Sequence, residues 1–510
     1  MRRALIVNCY ADETRRPVAR RHKVPNTLGP VFLAGGLSPE RWEIRLHNEV
    51  SDGPLEDEAL LGWPDLLVLT GLITSVDRMR QVAAYARTKN PRVVVAGGGH
   101  VVRALPSYCA SFLDYVCLGD VEELGEVVRD AFGPQYAAEE HHPRFDLAHY
   151  IGRVGHVESS RYCNFSCSFC TLTGEGRPYL PVSADELRRQ LQAVGRKSYI
   201  GINDNNFYGN NRKSFKERVA AMREGVESGL FRGWTALVTN DFFLKRENLE
   251  LVRDAGCTGL FSGVESFDTA WTSRHNKHQN AVRPQVEVIR ECLEAGVTFL
   301  YGMMVDLATR TIADIRAELD FIVGCPEIPL PSYISIPIPI PGTPFFYECL
   351  DSGRILPGTR FRDLDATTIS VATLDPLAEA AEFARDLQSM RGYRARIARH
   401  SVRFAAANRR HLSPVKLGLA LYNAALLCEP LLTTLPKNTG QAAGRRTHVS
   451  GTEPLDGFYR PKFRVDSRFE KAFQPTVLID ARGCLDEEIA DDIAAGRDAL
   501  LPHRGAVAAV

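Results

Sequence analysis

Glu158-Ser159-Ser160-Arg161-Tyr162-Cys163-Asn164-Phe165-Ser166-Cys167-Ser168-Phe169-Cys170-Thr171-Leu172 is the stretch whose reading decides the rest of the chain. Its three cysteines, Cys163, Cys167 and Cys170, follow the spacing C-x-x-x-C-x-x-C. Three thiolates on one tight loop suit three irons of a cubane iron–sulfur cluster and leave the fourth iron without a protein ligand. An open iron can bind a substrate or cofactor, whereas a fully ligated cluster mostly passes electrons. A structural zinc site would want four ligands, usually in two close pairs. No second cysteine pair follows here. Phe169, just before the last cysteine, adds an aromatic face beside the metal.

Downstream of this loop, apolar runs alternate with amphipathic stretches. Strands are expected at residues 155–160, 199–203, 235–239, 259–262, 298–305 and 333–337. Helices are expected at 183–194, 214–228, 246–255, 282–295, 312–323 and 345–350, the first with Ser183 as N-cap. Six β/α repeats imply a partial parallel barrel over residues 153–353, with chemistry just past the strand ends. Asp204-Asn205-Asn206-Phe207, Gly263-Val264-Glu265-Ser266 and the late Pro341-Gly342-Thr343-Pro344 stand at such ends. Tyr301 and Met303, on the fifth strand, are candidates to face a substrate.

Residues 1–138 also alternate, with strands at 4–7, 42–47, 65–70, 93–96 and 115–118 and helices at 26–37 and 77–89. This is the pattern of a doubly wound parallel sheet, a Rossmann-like α/β domain, whose ligands sit at the carboxyl ends of the strands. The loops there read Thr70-Gly71-Leu72, Gly97-Gly98-Gly99-His100 and Gly119-Asp120-Val121-Glu122-Glu123. Glycine lets backbone approach a bulky ligand closely. Residues 139–152 read as a polar connector.

Residues 354–510 form a mainly helical C-terminal region of unassigned role. A long helix is expected at 374–410, basic in its later part at Arg391, Arg394, Arg396, Arg399, Arg403, Arg409 and Arg410. An apolar helical stretch at 414–432, interrupted by Pro430, follows; residues 434–460 read as loop, 464–479 as short strands and 485–497 as a last helix. The basic and apolar helices together admit contact with a membrane surface or a lipid-like substrate. A solvated face and a helix packed on the barrel is the more ordinary reading.

Composition narrows the class. Sixty-two basic residues balance sixty-two acidic ones, so no global charge draws the chain to nucleic acid. Nine of the twelve cysteines are scattered and read as buried thiols, which fits a reducing cytoplasm. Met1-Arg2-Arg3-Ala4-Leu5-Ile6-Val7-Asn8 reads as a first strand and not as a signal peptide. No apolar run reaches membrane-spanning length.

The cysteine loop, followed in order by Asp-Asn-Asn-Phe, Gly-Val-Glu-Ser, Asn276-Lys277-His278-Gln279-Asn280 and Pro-Gly-Thr-Pro, resembles the radical SAM superfamily. With the glycine-rich loops before it, the chain resembles the cobalamin-dependent class over roughly residues 1–355. The resemblance implies a [4Fe–4S] cluster on Cys163, Cys167 and Cys170. It implies S-adenosyl-L-methionine (SAM) beside Phe169, Asp204, Asn205, Glu265 and the backbone near Ile338. It implies cobalamin at Thr70, Gly71, Leu72, Gly97, Gly98, Gly99, Gly119 and Glu122. One departure stands out: the histidine loop that ligates cobalt from below is missing, and Asn8-Cys9-Tyr10-Ala11-Asp12-Glu13 occupies its place.

The chemistry so implied is reductive cleavage of SAM to a 5′-deoxyadenosyl radical. Cobalamin then donates a methyl group to an unactivated carbon of a small-molecule or lipid-like substrate, with electrons from a donor such as flavodoxin or ferredoxin. Two other readings stay open. One is radical cyclisation, rearrangement or oxidation on the same scaffold; the other is a non-catalytic iron–sulfur scaffold. No second cysteine cluster of the kind found in peptide-modifying relatives is present, nor the three N-terminal cysteines of tRNA-methylthiolating ones.

Overall fold

The computed structural model describes residues 1–10, 27–388, 390–433, 449–452 and 457–500. Two parallel sheets organise it. The first has the order β2-β1-β3-β4-β5, from β1 (Arg2–Cys9), β2 (Trp42–Asn48), β3 (Leu66–Gly71), β4 (Val94–Gly98) and β5 (Tyr115–Cys117). Ala4 to Cys9 of β1 are all buried, as a central strand covered on both faces requires. Strand order reverses between β1 and β3, so a crevice opens at their carboxyl ends, where such sheets bind ligands.

The second sheet runs in chain order through β6 (Val154–Val157), β9 (Tyr199–Ile202), β10 (Trp234–Val238), β11 (Cys257–Glu265), β12 (Thr298–Met304) and β13 (Tyr333–Ser335). Every pairing is parallel, which gives the six-stranded partial barrel expected from the repeats. A short antiparallel pair, β7 (Ser160–Arg161) with β8 (Leu180–Pro181), brackets the cysteine loop. The Ser183 side chain accepts from the Glu186 amide at the start of the helix Ala184–Val194, a cap worth about 1 kcal/mol.

Residues 139–152 run along the first sheet, with Phe145 and Ala148 buried in its core. The C-terminal region returns to the first sheet too. Thr476 and Tyr459 hydrogen-bond the buried Asp77 of the helix Val76–Lys89, and Asp492 accepts from the amides of Ser107 and Tyr108.

Several boundaries differ from expectation. The helix expected at 374–410 is two, Leu377–Gln388 and Arg394–Asn408. Met390 and Gly392 between them have positive φ, which an α-helix cannot accommodate. The helix Pro414–Thr433 continues through Pro430. Its residues pack on the barrel: Asn423 donates to the Leu330 carbonyl at 3.1 Å, and Lys416 caps the Gly296 carbonyl at 2.6 Å. Arg396 of the basic helix pairs with Asp320. Ser467–Phe473 is a 3₁₀ helix where short strands were expected, with only isolated bridges such as Arg360 to Val477 nearby. The last helix is Ala490–Leu500. The expected helix at 26–37 is confined to Gly29–Ala34, before the Gly35-Gly36 pair. Most of the loop expected at 434–460 lies outside the described residues, as do Ala11, Asp12 and Glu13. No helix among the described residues is long and apolar enough to cross a membrane.

Candidate active site where the two sheets face each other

The cysteine loop leaves the second sheet at β6 and is held from three sides. Asn206 Nδ2 donates to Asn164 Oδ1 at 2.7 Å. Asn276, at φ +53°, donates to the Ser166 carbonyl and hydroxyl at 2.8 Å. The His275 carbonyl accepts from the Ser168 amide, and the Ser168 carbonyl accepts from Phe345, which follows the Pro-Gly-Thr-Pro turn. The landmarks scattered over the sequence thus converge on one loop.

Cys167 is buried, while Cys163 and Cys170 are half-buried. Burial, reinforced by the neighbouring thiols, pushes the Cys163 thiol up to about 12 and the Cys170 thiol to about 11. Gln279 Nε2 points at Cys167 Sγ, 3.6 Å away. Among the described residues no three His, Cys, Asp or Glu side chains close to the spacing of ligands round one ion. A cubane takes each thiolate on a separate iron, so its ligands stand further apart than those of a single ion. The loop fits a cluster better than a zinc ion.

Beside the thiols lies a buried ion pair. Glu265, with φ +61° at the end of β11, stands 3.1 Å from Lys277 Nζ. Lys277 also lies 5.7 Å from the Phe169 ring centroid. Burial alone would lower the ammonium's pKa, but Glu265 and the Cys167 and Cys170 thiols more than offset this and raise it. Asn280 donates to the Gly263 and Val264 carbonyls and fixes the turn that presents Glu265. Among the described residues, Glu265 Oε2 and Gln279 Oε1 are both buried without a hydrogen-bond partner. An orphaned carboxylate oxygen costs several kcal/mol unless a donor arrives, so the pair fits a cationic, amino-bearing ligand.

Phe169 stacks on Trp271 at 6.1 Å and meets His275 edge-on. Ile338 is half-buried in the same cluster. Asn205 is exposed. Asp204, expected beside SAM, is held within the protein. Its carboxylate accepts from the amides and hydroxyls of Ser159 and Ser160 at 2.6–2.9 Å and faces Arg218 at 3.5 Å. Fully occupied, it organises the start of the cysteine loop.

Tyr301, a candidate to face a substrate, packs among other aromatic rings. Its ring is completely buried between Phe267 and Phe299 on the helix side of β12, and its hydroxyl donates to the Pro329 carbonyl at 2.9 Å. Met303 lies on that face as well. The alternate positions, Leu300, Gly302 and Met304, face the other way. There the Tyr333 ring lies over Gly302 and stacks on Phe261 at 5.8 Å. Phe261 and Tyr333 are the residues that sequence reasoning missed. The period-two alternation of β12 carried the signal.

The carboxyl edge of the first sheet faces the cysteine loop directly. Tyr162 donates to Asp120 and accepts from Arg177, and Arg161 pairs with Glu122 at 2.9 Å. Arg103 bridges Glu175 at 2.9 Å and the Gly119 carbonyl at 2.6 Å. Glu122 is thus engaged at the junction. Thr70 and Gly71 are half-buried at the end of β3, and Leu72 is 68% exposed beside them. A Cβ on Gly71 would lie 2.7 Å from Ser75 Cβ, and Gly99 has φ +99°, so both turns require glycine. Gly98 borders the crevice. Gly97 is buried, and its missing side chain makes room for Leu113. His100 has both ring nitrogens buried without hydrogen-bond partners, with Nδ1 3.8 Å from Glu175. The glycine turns at Gly71 and Gly99 leave backbone open at this edge, which suits close approach of a large flat cofactor.

A doubly wound domain thus stands edge-on to a six-stranded partial barrel that carries the three-cysteine loop. Residues 157–322 match the Radical SAM superfamily. A hopanoid C-2 methylase of Rhodopseudomonas palustris (strain TIE-1) is 27% identical over 354 residues, 64% of this chain. The chain spans 65% of that relative's length. The fold matches the cobalamin-dependent SAM radical enzyme OxsB with aqua-cobalamin and SAM bound. The TM-score is 0.59 at 14% identity, over 85% of this chain and 80% of that one. The apo form of OxsB matches with a TM-score of 0.54 at 13% identity, over 99% of this chain and 80% of that one.

Proposed function

We propose that this chain is a cobalamin-dependent radical SAM enzyme that methylates an unactivated carbon of a small-molecule or lipid-like substrate. The observation that carries the reading is the junction of Tyr162 with Asp120 and of Arg161 with Glu122. It holds the cysteine loop against the ligand-binding edge of the first sheet, so that two cofactor sites open on one space. The methylase relative and the OxsB fold support it.

When bound, the cluster with SAM supplies reductive carbon–sulfur cleavage, and cobalamin supplies methyl carriage. Cys163, Cys167 and Cys170 would hold the cluster. Glu265 Oε2 would accept from the SAM ammonium, with Lys277 balancing the charge. Phe261 and Tyr333 line an apolar wall that excludes water from the reacting carbon. Low-potential electrons would come from a donor such as flavodoxin or ferredoxin.

The test is anaerobic reconstitution with iron, sulfide and hydroxocobalamin, followed by turnover with methyl-labelled SAM and a lipid extract. Label in a substrate carbon together with 5′-deoxyadenosine supports the reading. Release of 5′-deoxyadenosine with no label in any product would sink methylation and leave radical rearrangement or oxidation.

A further inference from the structure

At the opposite end of the barrel from the cysteine loop, three loops enclose a cavity of about 440 Å³. The turn into β6 contributes Gly152 and Arg153. The loop into β9 contributes Arg196, Lys197 and Ser198, and the loop into β10 contributes Gly229, Phe231 and Arg232. Four cations line it, and no carboxylate does. Lys197 Nζ is committed to the Ile151 and Gly152 carbonyls, the latter at 3.1 Å. The guanidiniums of Arg153, Arg196 and Arg232 form no hydrogen bond or ion pair among the described residues.

The loops that carry these cations are fixed to one another. The Ser198 amide donates to the Arg153 carbonyl, Arg232 to Ser198, and Lys197 to Leu230, all at 2.9–3.1 Å. The backbone therefore clamps the three loops together. Helices Ala184–Val194 and Arg212–Glu227 end nearby, and helix C-termini attract cations. Each supplies only about −0.5 charge. Two such ends against four cations leave about three positive charges without a counter-charge.

We propose that this cavity binds a phosphoryl group. Guanidinium forks match the tetrahedral oxygens of phosphate in paired hydrogen bonds, which a halide cannot exploit. The Ser198 side chain and the open backbone at Gly152 and Gly229 leave room for the oxygens. The site lies at the base of the strands, so its occupant is not the substrate of the cysteine loop. The phosphoryl group is either free, on a small metabolite, or the headgroup of an anionic lipid against which the base of the barrel would rest.

The experiment uses the full chain. Inorganic phosphate is titrated calorimetrically at ionic strength matched with sodium chloride. Cosedimentation is measured in parallel with phosphatidylglycerol and phosphatidylcholine vesicles. The variants are Arg153→Ala, Arg196→Ala and Arg232→Ala, singly and together. All three side chains are exposed and far from the cysteine loop, and unchanged melting and reconstituted iron content verify folding. Saturable phosphate binding, weakened about tenfold by each single change, supports a free phosphoryl ligand. Binding to phosphatidylglycerol alone, lost in the triple variant, supports a lipid headgroup. Equal responses to phosphate and chloride with no vesicle binding overturn the site, as does any binding that survives in the triple variant.

Discussion

Glu265 and Lys277 face each other at 3.1 Å beside the three thiols, both side chains nine-tenths buried, and Glu265 Oε2 has no partner. A buried pair of this kind holds little net stability but is costly to break. Lys277→Met is expected to destabilise the fold by about 3–5 kcal/mol, because it strands the carboxylate. Glu265→Gln is expected to leave iron content unchanged and to weaken SAM binding at least tenfold. Denaturant unfolding measures the first variant; equilibrium dialysis, with the SAM-induced change in the reduced-cluster EPR signal, measures the second. Unchanged SAM affinity in Glu265→Gln would remove the assigned role.

Asp204 separates structure from ligand contact. It accepts from four donors of Ser159 and Ser160. Asp204→Ala takes the acceptor from the Ser159 and Ser160 amides and the Ser159 hydroxyl, and leaves the buried Arg218 without its counter-charge, so a loss of about 3 kcal/mol or more is expected in denaturant unfolding. The folded fraction is expected to bind SAM with unchanged affinity. Lowered affinity at full stability would restore the direct contact implied by resemblance.

Tyr301→Phe removes one buried hydrogen bond, to the Pro329 carbonyl. The expected cost is about 1 kcal/mol in stability. The rate of 5′-deoxyadenosine formation is expected to stay within about twofold of the parent, since the hydroxyl faces away from the barrel interior. A large loss of rate at unchanged stability would make it catalytic.

Asp241 gives a pH test. Burial raises its carboxyl to about 6 against opposing hydrogen bonds, the largest from Thr239. A carboxyl raised by folding stabilises the protein fully below its unfolded value, near 4, and loses that contribution as pH rises through about 6. Asp241→Asn, which stays neutral, is therefore expected to raise Tm at pH 8 and to leave it nearly unchanged at pH 4. An equal shift at both values would contradict the assignment.

The cysteine spacing was legible because cluster ligation is local: three residues within eight positions define it. The strand-end motifs were legible as order, since β/α repetition delivers every loop to the same end of a barrel. Their individual duties were less so. Asp204 and Glu265 are both carboxylates after a strand, yet one is saturated by two serines while the other keeps an oxygen free. That difference lies in which neighbours reach them, not in the residue type. The face of Tyr301 was not legible because an aromatic on a barrel strand suits either side, and only the register with β11 and β13 decides.

The sequence by itself determined the two sheets, their parallel sense and the cluster loop, because periodicity, glycine turns and metal-ligand spacing act over short stretches of chain. The tertiary structure alone decided how the sheets meet and which landmarks touch the cysteines. It also brought Arg153, Arg196, Lys197 and Arg232 round one cavity. Those relations depend on packing between segments tens to hundreds of residues apart, and no local pattern encodes which charged side chains end without a partner.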